Sequence, residues 1–357
     1  METVEYDAVV VGAGPGGYPC AIRLGQLGKK TLCIEKENWG GVCLNVGCIP
    51  SKALISAAKR YQELKSSAAL GINVSGDISV DMAKTQEWKQ GIVKKLTGGV
   101  DFLLKSNGVD RMIGTADFDG GKSVVVTKPD GSQVEVKADN VILAVGSRPI
   151  EIPGFSYSED RIWDSTKALA QTEIPKRLAV IGGGYIGLEM GMMFAKLGTE
   201  VTVVEMGNSV LGVFDPAVVK VVTKKMKKLK IKTLTNVRAK GWEEGDNGAI
   251  LKVEDANEER TVYNRTRRNT LIASSIFLLI AYSAISQNLP NSDCETITSA
   301  ENINYLKSIN TQIKNFEQNF NQVKSTQKHK ASKIKHNIPI KIHIIRNSDG
   351  SGGIDLY

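Results

Sequence analysis

YDAVVVGAGPGGYPCAIRLGQLGKKTLCIEK, residues 6–36, is the stretch that decides the fold. An apolar strand runs into a G-x-G-x-x-G turn, and a helix and a second strand ending in Glu35 follow. In such a unit the first glycine allows a tight turn, the second lets a pyrophosphate approach the backbone, and the third lets helix and strand pack closely. The start of the helix offers free N–H groups and positive dipole to phosphates, and the closing glutamate accepts hydrogen bonds from a ribose. The stretch therefore predicts a parallel α/β unit that binds a dinucleotide.

A second copy of this unit is RLAVIGGGYIGLEMGMMFAKLGTEVTVVEM, residues 177–206, in which each glycine of the turn recurs 170 positions later. Either copy could be an ordinary strand–turn–helix. In both copies, however, the strand before the turn, the helix after it and the acidic residue that follows all match the dinucleotide-binding pattern. Two such units predict electron transfer between two nucleotides, typical of a flavoprotein that uses a nicotinamide. Glu205 favours NAD over NADP, because a carboxylate would repel a 2′-phosphate.

GGVCLNVGCIPSK, residues 40–52, lies between the units and separates two cysteines by four residues. If a helix starts near Cys48, its dipole lowers the pKa of that thiol, and Lys52 one turn later adds to the effect. Such a thiolate can pass electrons to a flavin while its partner exchanges with an incoming dithiol. The alternatives are a structural disulfide, which a reducing compartment disfavours, and two buried thiols, which the Gly-rich flank disfavours.

Length and composition limit the remaining classes. The 357 residues predict two or three domains, and five cysteines are too few for a disulfide scaffold. The beginning of the sequence shows no signal peptide, so we expect a cytoplasmic location. Of the net charge of +8, residues 265–357 contribute most, with 12 basic and 6 acidic residues. The sequence predicts no nucleic-acid partner and no metal site.

The dithiol motif closely resembles that of the dihydrolipoamide dehydrogenases, in the family of disulfide oxidoreductases with two dinucleotide-binding domains. Leu44 and Ile49–Lys52 are more similar to this branch than to glutathione or mercuric reductases, and Val42 departs from the usual threonine. GGGYIGLE (182–189) and AVGSRP (144–149) also resemble its nicotinamide and flavin contacts. The resemblance covers residues 1 to about 264. It implies FAD and NAD as cofactors, dihydrolipoamide or a lipoyl-bearing protein as substrate, and a homodimer.

The resemblance also implies a role for individual residues. Cys43 would exchange with substrate, Cys48 would lie against the flavin, and Lys52 would sit near the flavin ring and pair with Glu189, these four being the catalytic set. The FAD contacts would be Gly12, Gly14, Gly16, Gly17, Glu35, Lys36, Gly41, Lys52, Gly114, Ala144, Gly146 and Ser147. The NAD contacts would be Gly182, Gly183, Gly184, Tyr185, Ile186, Gly187, Glu189, Glu205 and Val237.

The family pattern ends near residue 264. We expect that a nicotinamide-domain strand, a Gly-Asp flavin motif and a dimerisation domain with a His-Glu pair do not follow. Residues 1–264 contain no histidine, and His329, His336 and His343 lie in no His-x-x-x-x-Glu arrangement. Without that base, thiol attack should be slow at neutral pH, and without the ribityl contact flavin affinity should fall. The predicted activity is therefore impaired.

The rest of the sequence has a different character. Residues 265–286 resemble a bacterial signal peptide, with a short transmembrane helix as the alternative, and membrane association is predicted only through 270–286. The tail, 287–357, is expected to be polar, with a surface helix or disorder over 299–336 and a strand within 338–353. It faintly resembles the start of secreted bacterial metalloproteases but has no His-Glu-x-x-His. We interpret the chain as a fusion of unrelated coding pieces; a membrane-tethered flavoprotein is the competing hypothesis.

The predicted fold class is thus α/β, with two Rossmann-like dinucleotide-binding domains, both incomplete, followed by an unrelated and largely irregular or helical tail. Residues 1–149 would bind FAD and carry the dithiol, and residues 150–264 would bind NAD. Long helices are expected over 50–66 and 80–106, and short strands over 110–145. The predicted function is electron transfer from dihydrolipoamide through Cys43 and Cys48 and FAD to NAD. The alternatives are a glutathione- or mercuric-reductase-like enzyme, which Glu205 opposes, and an inactive nucleotide-binding fragment fused to the N-terminus of a secreted protein.

Overall fold

The computed structural model of the protein describes most of the first 255 residues with their side chains and a few backbone strands beyond them. All of them belong to the first of the two units into which the chain divides, residues 1–278 and 342–356. The described residues are 1–118, 120–158, 160–245, 248–255, 259–262, 269–273, 343–344 and 354–355.

The first half is built on a six-stranded sheet of order β3-β2-β1-β6-β5-β4. Strands β1, β2, β3 and β6 are parallel, and β5 pairs antiparallel with both β6 and β4. The apolar run of β1 is buried, as a strand covered on both faces must be. The strands are β1 Glu2–Val11, β2 Thr31–Glu35, β3 Asp110–Ile113, β4 Thr115–Phe118, β5 Ser123–Thr127 and β6 Gln133–Leu143, and the helices are α1 Tyr18–Gln26, α2 Gly41–Val46, α3 Cys48–Lys65 and α4 Met82–Ser106, with a 3₁₀ turn at Ser67–Leu70.

The long helices and the strands expected from the sequence are confirmed, with bounds that differ by two residues or fewer at each helix end. The short helix α2 was not predicted. It begins where Gly40 and Gly41 have φ of 90° and 57°, a left-handed backbone that glycine adopts without strain.

The second half contains a five-stranded parallel sheet of order β10-β9-β8-β14-β7 and an antiparallel sheet of order β11-β12-β13. Residues 1–255 therefore have the α/β architecture that the sequence predicts. The elements are β7 Ile162–Trp163, α5 Ser165–Leu169, β8 Arg177–Ile181, α6 Tyr185–Lys196, β9 Glu200–Val204, α7 Pro216–Lys228, β10 Lys232–Leu234, β11 Arg238–Gly245, β12 Gly248–Glu254, β13 Glu259–Val262 and β14 Asn269–Ala273.

Strand β14 corrects the predicted end of the second domain. It pairs in parallel with β8, from Asn269 opposite Arg177 to Ala273 opposite Ile181, and with β7 on its other side. The sequence predicts the end of the domain at 264, with no further strand of its sheet, and a signal-like segment over this short apolar run. Such a run does not distinguish strand from helix by its pattern alone. Residues 265–268 and 274–286 of that segment lie outside the described residues.

Two short strands are described in the tail, β15 His343–Ile344 and β16 Ile354–Asp355, which pair antiparallel. The first falls within the stretch 338–353, where a strand is expected. The predictions for residues 287–342 lie outside the described part of the chain.

Side chains of α4 connect the two halves. Lys89 is buried, and its Nζ donates to the carbonyl oxygen of Leu169 at the end of α5, 3.0 Å away. Gln86 Nε2 donates to the same oxygen at 3.1 Å and to the oxygen of Gln171 at 2.7 Å. Since α3 also packs against α4 and α6 through a shared apolar core, the helix that begins at Cys48 is held between the two halves.

One helical stretch among the described residues, Gly41–Lys65, has the length and apolar composition that a membrane crossing requires. A third of its most apolar 18-residue section is buried inside the protein. Core helices of soluble proteins share this property, and the stretch contains α2 and α3.

Candidate functional site

The first glycine turn joins β1 to α1 and fits only glycine at two points. Gly12 has a φ of 98°, and a Cβ there would collide with the carbonyl oxygen of Ala144. A Cβ at Gly17 would collide with the carbonyl oxygen of Gly12, so this glycine allows the helix to pack against the turn. The N–H groups of Gly14 and Gly16 have no acceptor among the described residues, and the nearest atom to a Cβ at Gly14 is 3.9 Å away. This open cradle of free donors fits a pyrophosphate.

Glu35, the last residue of β2, is fixed beside this turn. Its Oε2 accepts from the N–H of Ala13 at 2.7 Å, and its Oε1 accepts from the N–H of Glu37 at 2.9 Å. Each carboxylate oxygen has a second lone pair, so both retain the capacity to accept from ribose hydroxyls. The residues present therefore fit the adenine-dinucleotide part of FAD.

The second turn reproduces this arrangement. Glu205 Oε2 accepts from the N–H of Gly183 and Oε1 from that of Gly207, both at 2.6 Å. These are the positions that correspond to Ala13 and Glu37 in the first copy. The N–H of Gly184 has no acceptor within the described part of the chain, and Val237 is buried with its N–H 3.0 Å from the Glu205 carbonyl oxygen. The second turn therefore fits a second dinucleotide.

Three of the other expected flavin contacts, Gly41, Gly114 and Ala144, lie at the first turn or beside Glu35. A Cβ at Gly41 would lie 2.6 Å from the Cα of Gly14, and the N–H of Gly114 donates to the Glu35 carbonyl oxygen at 2.9 Å. Ala144 donates its N–H to Val11 and lies over Gly12. Three more are exposed and follow Glu35 or Ala144 in sequence: Lys36, Gly146 and Ser147. Ile186 and Gly187 lie in the first turn of α6.

The two cysteines of the motif meet at the start of α3. Cys48 is the first residue of this 18-residue helix and is exposed, whereas Cys43 in α2 is partly buried. Both are free thiols. Gly47 makes the tight turn between the two helices. It packs closely on Val42, because a Cβ at Gly47 would lie only 2.9 Å from the Val42 carbonyl oxygen.

The two thiols differ strongly in acidity. A hydrogen bond from Cys43 and the charge of Lys52 lower the pKa of Cys48 to about 6, although partial burial and the Glu189 carboxylate oppose the shift. The same hydrogen bond, with burial, raises the pKa of Cys43 well above its usual range. Cys48 is thus the thiolate and Cys43 the thiol of the reduced pair, and the predicted helix start explains part of the asymmetry.

An ion pair joins the dithiol helix to the second nucleotide unit. Lys52 Nζ lies 3.0 Å from Oε1 and 3.2 Å from Oε2 of Glu189 on α6. The resemblance implied this pairing. Burial raises the pKa of Tyr185 most, and the charges of Cys48 and Glu189 raise it further. This tyrosine therefore lies at the same site.

Tyr18 was missed by the sequence analysis. It is the first residue of α1, and burial followed by the charge of Cys43 raises its pKa. Its position directly after the third glycine was the available signal. Within the residues that the structure describes, no group of three or more His, Cys, Asp and Glu could hold a metal ion.

Comparisons with known proteins agree with this geometry. The family model described as pyridine nucleotide-disulphide oxidoreductase matches residues 6–324, which extends beyond residue 264, where the motif resemblance ended. Dihydrolipoyl dehydrogenase of Bacillus subtilis is 50% identical over 260 residues, which are 72% of this chain and 55% of the relative. That of Geobacillus stearothermophilus is 49% identical over 259 residues, 72% of this chain and 54% of the relative. The chain spans about half the length of these curated relatives.

Solved structures share the fold. LpdA from Mycobacterium tuberculosis superposes with a TM-score of 0.64 at 23% identity, covering 76% of this chain and 58% of that one. The HOCl-induced flavoprotein disulfide reductase RclA from Escherichia coli gives a TM-score of 0.61 at 24% identity, with 76% and 56% covered.

Proposed function

The chain belongs to the pyridine nucleotide-disulphide oxidoreductase family, and from this premise we propose that it is a dihydrolipoyl dehydrogenase-like oxidoreductase. Its substrate would be a small dithiol, dihydrolipoamide or a lipoyl group on a protein. The observation that carries the proposal is the unequal pair at the start of α3, with Cys48 as a thiolate and Cys43 as a thiol. The dihydrolipoyl dehydrogenases that are 49% and 50% identical in this region support the same branch of the family.

The pair performs dithiol exchange in a defined order. A substrate thiolate attacks Sγ of Cys43 in the Cys43–Cys48 disulfide, and Cys48 leaves as a thiolate that Lys52 and the start of α3 stabilise. The second thiol of the substrate then attacks the substrate sulfur that is bonded to Cys43. This closes the substrate disulfide and releases Cys43. Because the pKa of Cys43 is raised, this sulfur keeps a proton, and the other substrate proton goes to solvent. Because its pKa is low, Cys48 is the better leaving group. The substrate thiolate therefore attacks Cys43, which is the cysteine that exchanges with substrate.

The two glycine turns would hold the cofactors. Gly12, Gly14, Gly16, Gly17 and Glu35 would bind FAD, and Gly182, Gly183, Gly184 and Glu205 would bind NAD. Bound FAD would supply the two-electron acceptor, with NAD as the final one. We place the FAD domain in residues 1–149 and begin the NAD domain at 150. Residues 1–264 contain no histidine that could accept the substrate proton, so we expect turnover below that of the full-length relatives.

Absorbance of the purified full chain, reconstituted with FAD, tests the proposal. We expect a yellow protein that gains a long-wavelength band when dihydrolipoamide is added, because a thiolate then lies beside oxidised flavin. Cys48→Ser should abolish the band but not the flavin colour, whereas the matched Cys20→Ser variant should keep both. A colourless protein that rejects FAD would defeat the proposal for this chain.

A further inference from the structure

Helix α7 and the loop before it form an exposed surface of lysines and apolar side chains, here called the α7 surface. Residues 213–232, from that loop to the first residue of β10, contain seven lysines and one acidic residue, Asp215, whereas the rest of residues 1–264 holds 27 basic and 31 acidic residues. Positive charge is therefore concentrated here in an otherwise slightly acidic region. The seven, all exposed, are Lys220, Lys224, Lys225, Lys227, Lys228, Lys230 and Lys232.

These lysines have no carboxylate partner among the described residues, unlike the two that follow closely in sequence. Lys240 pairs with Glu254 at 3.2 Å and Lys252 with Glu243 at 2.6 Å. The charges of the α7 surface also act on their surroundings. Burial lowers the pKa of Lys196 on α6, and the charges of Lys225 and Lys59 lower it further. These ammonium groups thus repel one another, the Glu63 carboxylate offsets part of the repulsion at Lys196, and an anionic partner would relieve the rest.

The apolar part of the surface lies among the lysines. Val213, Val218 and Val221 are 72%, 53% and 69% exposed, and Phe214 is 46% exposed. Val218 and Val221 share one face of α7 by helical spacing, and Val213 and Phe214 lie in the loop before the helix. The opposite face of α7 is already used, because Val219 and Met226 are buried in the core. Val218 and Val221 therefore form a second apolar patch on the helix, which the described residues leave exposed and which lysine ammonium groups border.

We propose that the α7 surface docks on an anionic lipid bilayer, with the lysines on the headgroups and the apolar side chains at the level of the acyl boundary. The residue types favour lipid over the other polyanions. Protein interfaces are depleted in lysine and depend on Trp, Tyr and Arg, none of which occurs in residues 213–232. A nucleic acid backbone would use the lysines but would leave the valines and Phe214 without an apolar partner. A bilayer interface satisfies both parts at once.

No residue of the surface belongs to 270–286, the segment through which alone the sequence predicted membrane association. It also lies outside the dithiol and both glycine turns, so docking would leave the proposed chemistry free to proceed. The inference does not depend on the proposed function. Each lysine near an anionic membrane strengthens binding roughly fivefold, and salt screens the attraction.

Flotation of the full chain with vesicles tests the proposal. We expect binding to an equal mixture of phosphatidylcholine and phosphatidylglycerol, weak binding to phosphatidylcholine alone, and release by added salt. A variant with Lys220→Gln, Lys224→Gln and Lys228→Gln should bind roughly 100-fold more weakly. The matched control, Lys94→Gln, Lys95→Gln and Lys105→Gln on α4, removes three exposed lysines that have no ion pair in the described structure and should bind like the wild type.

A second variant, Val218→Ser with Val221→Ser, separates lipid from other anions. It should weaken vesicle binding while leaving any binding to duplex DNA or polyglutamate unchanged. Wild-type binding by the α7 lysine variant would overturn the proposal and assign attachment to another segment, such as 270–286. Equal loss in both lysine variants, or DNA binding as tight as vesicle binding, would also overturn it. Circular dichroism of all variants verifies that each is folded.

Discussion

The acidity of Cys48 gives the most direct test of the site. We predict that alkylation of Cys48 in the reduced protein follows a thiolate titration with a midpoint of about 6. At that pH about half of the Cys48 side chains are thiolates, against ~0.3% for a free cysteine with a pKa of about 8.5. A thiolate of lower pKa is intrinsically less nucleophilic, by about 13-fold over this difference. The net gain at pH 6 is therefore roughly tenfold, while at pH 7 it shrinks to about twofold.

A rate at one neutral pH would thus miss the effect, and a full profile is required. Iodoacetamide labelling between about pH 5 and pH 9, with quantification of the Cys48 peptide by mass spectrometry, gives this profile. Cys33 is the internal control, because burial and nearby charges raise its pKa to about 12 and its side chain is buried. It should remain unlabelled.

Three variants check the physical causes by sign. Cys43→Ala removes the hydrogen bond and should raise the midpoint most, and Lys52→Met removes the cation and should raise it less. Glu189→Gln removes the opposing carboxylate and should lower it. A wild-type midpoint near 8.5, or shifts of the same sign for Lys52→Met and Glu189→Gln, would refute the electrostatic reasoning.

Two further predictions concern the scaffold. Gly17→Ala should destabilise the protein by about 3 kcal/mol or more, since the new Cβ meets the Gly12 carbonyl oxygen, whereas Gly98→Ala, in an open part of α4, should stabilise it by about 0.5–1 kcal/mol. Urea unfolding measures both, and shifts in the same direction would contradict the packing argument. Tyr6 donates to Asp110 at 3.0 Å, and burial with this carboxylate raises its pKa to about 12. Because the folded pKa is raised, the stability from this contact is complete below about pH 10 and is lost as the pH rises through 12. Tyr6→Phe should remove that part of the decline in urea unfolding at alkaline pH; an unchanged decline would count against it.

Local signals predicted much of the fold and the site. The glycine turns and the helix start at Cys48 depend on a few neighbouring residues, whose steric and dipole requirements are visible in the sequence. Gly12 and Gly17 are the clearest case, because the structure leaves no room for a Cβ at either. The Lys52–Glu189 pair came from family resemblance, since no local rule connects residues 137 positions apart.

The features that were missed depend on tertiary context. Lys89 was not singled out from the sequence, and it is buried against a carbonyl oxygen supplied by α5. Strand β14 is short and apolar, and only its neighbours β8 and β7 distinguish it from a membrane-directed segment. Tyr18 lies near enough to Cys43 for its charge to raise the tyrosine pKa, because α1 begins after the first turn and the first residue of α2, Gly41, packs on Gly14 of that turn; sequence spacing alone does not show this.

The spacing within the dithiol site also has a consequence for the order in which it forms during synthesis. Cys43, Cys48 and Lys52 lie within ten residues, so the groups that acidify Cys48 come together as soon as α2 and α3 fold. Glu189, which moderates that acidity, leaves the ribosome 137 residues after Lys52, and at roughly 5–20 residues per second this takes about 7–30 s. For that interval the pKa of Cys48 is lowered by its neighbours without the opposing carboxylate, so nearly all of this thiol is thiolate at neutral pH. Oxidative trapping of newly made chains should therefore fall on Cys48 before the second nucleotide unit exists.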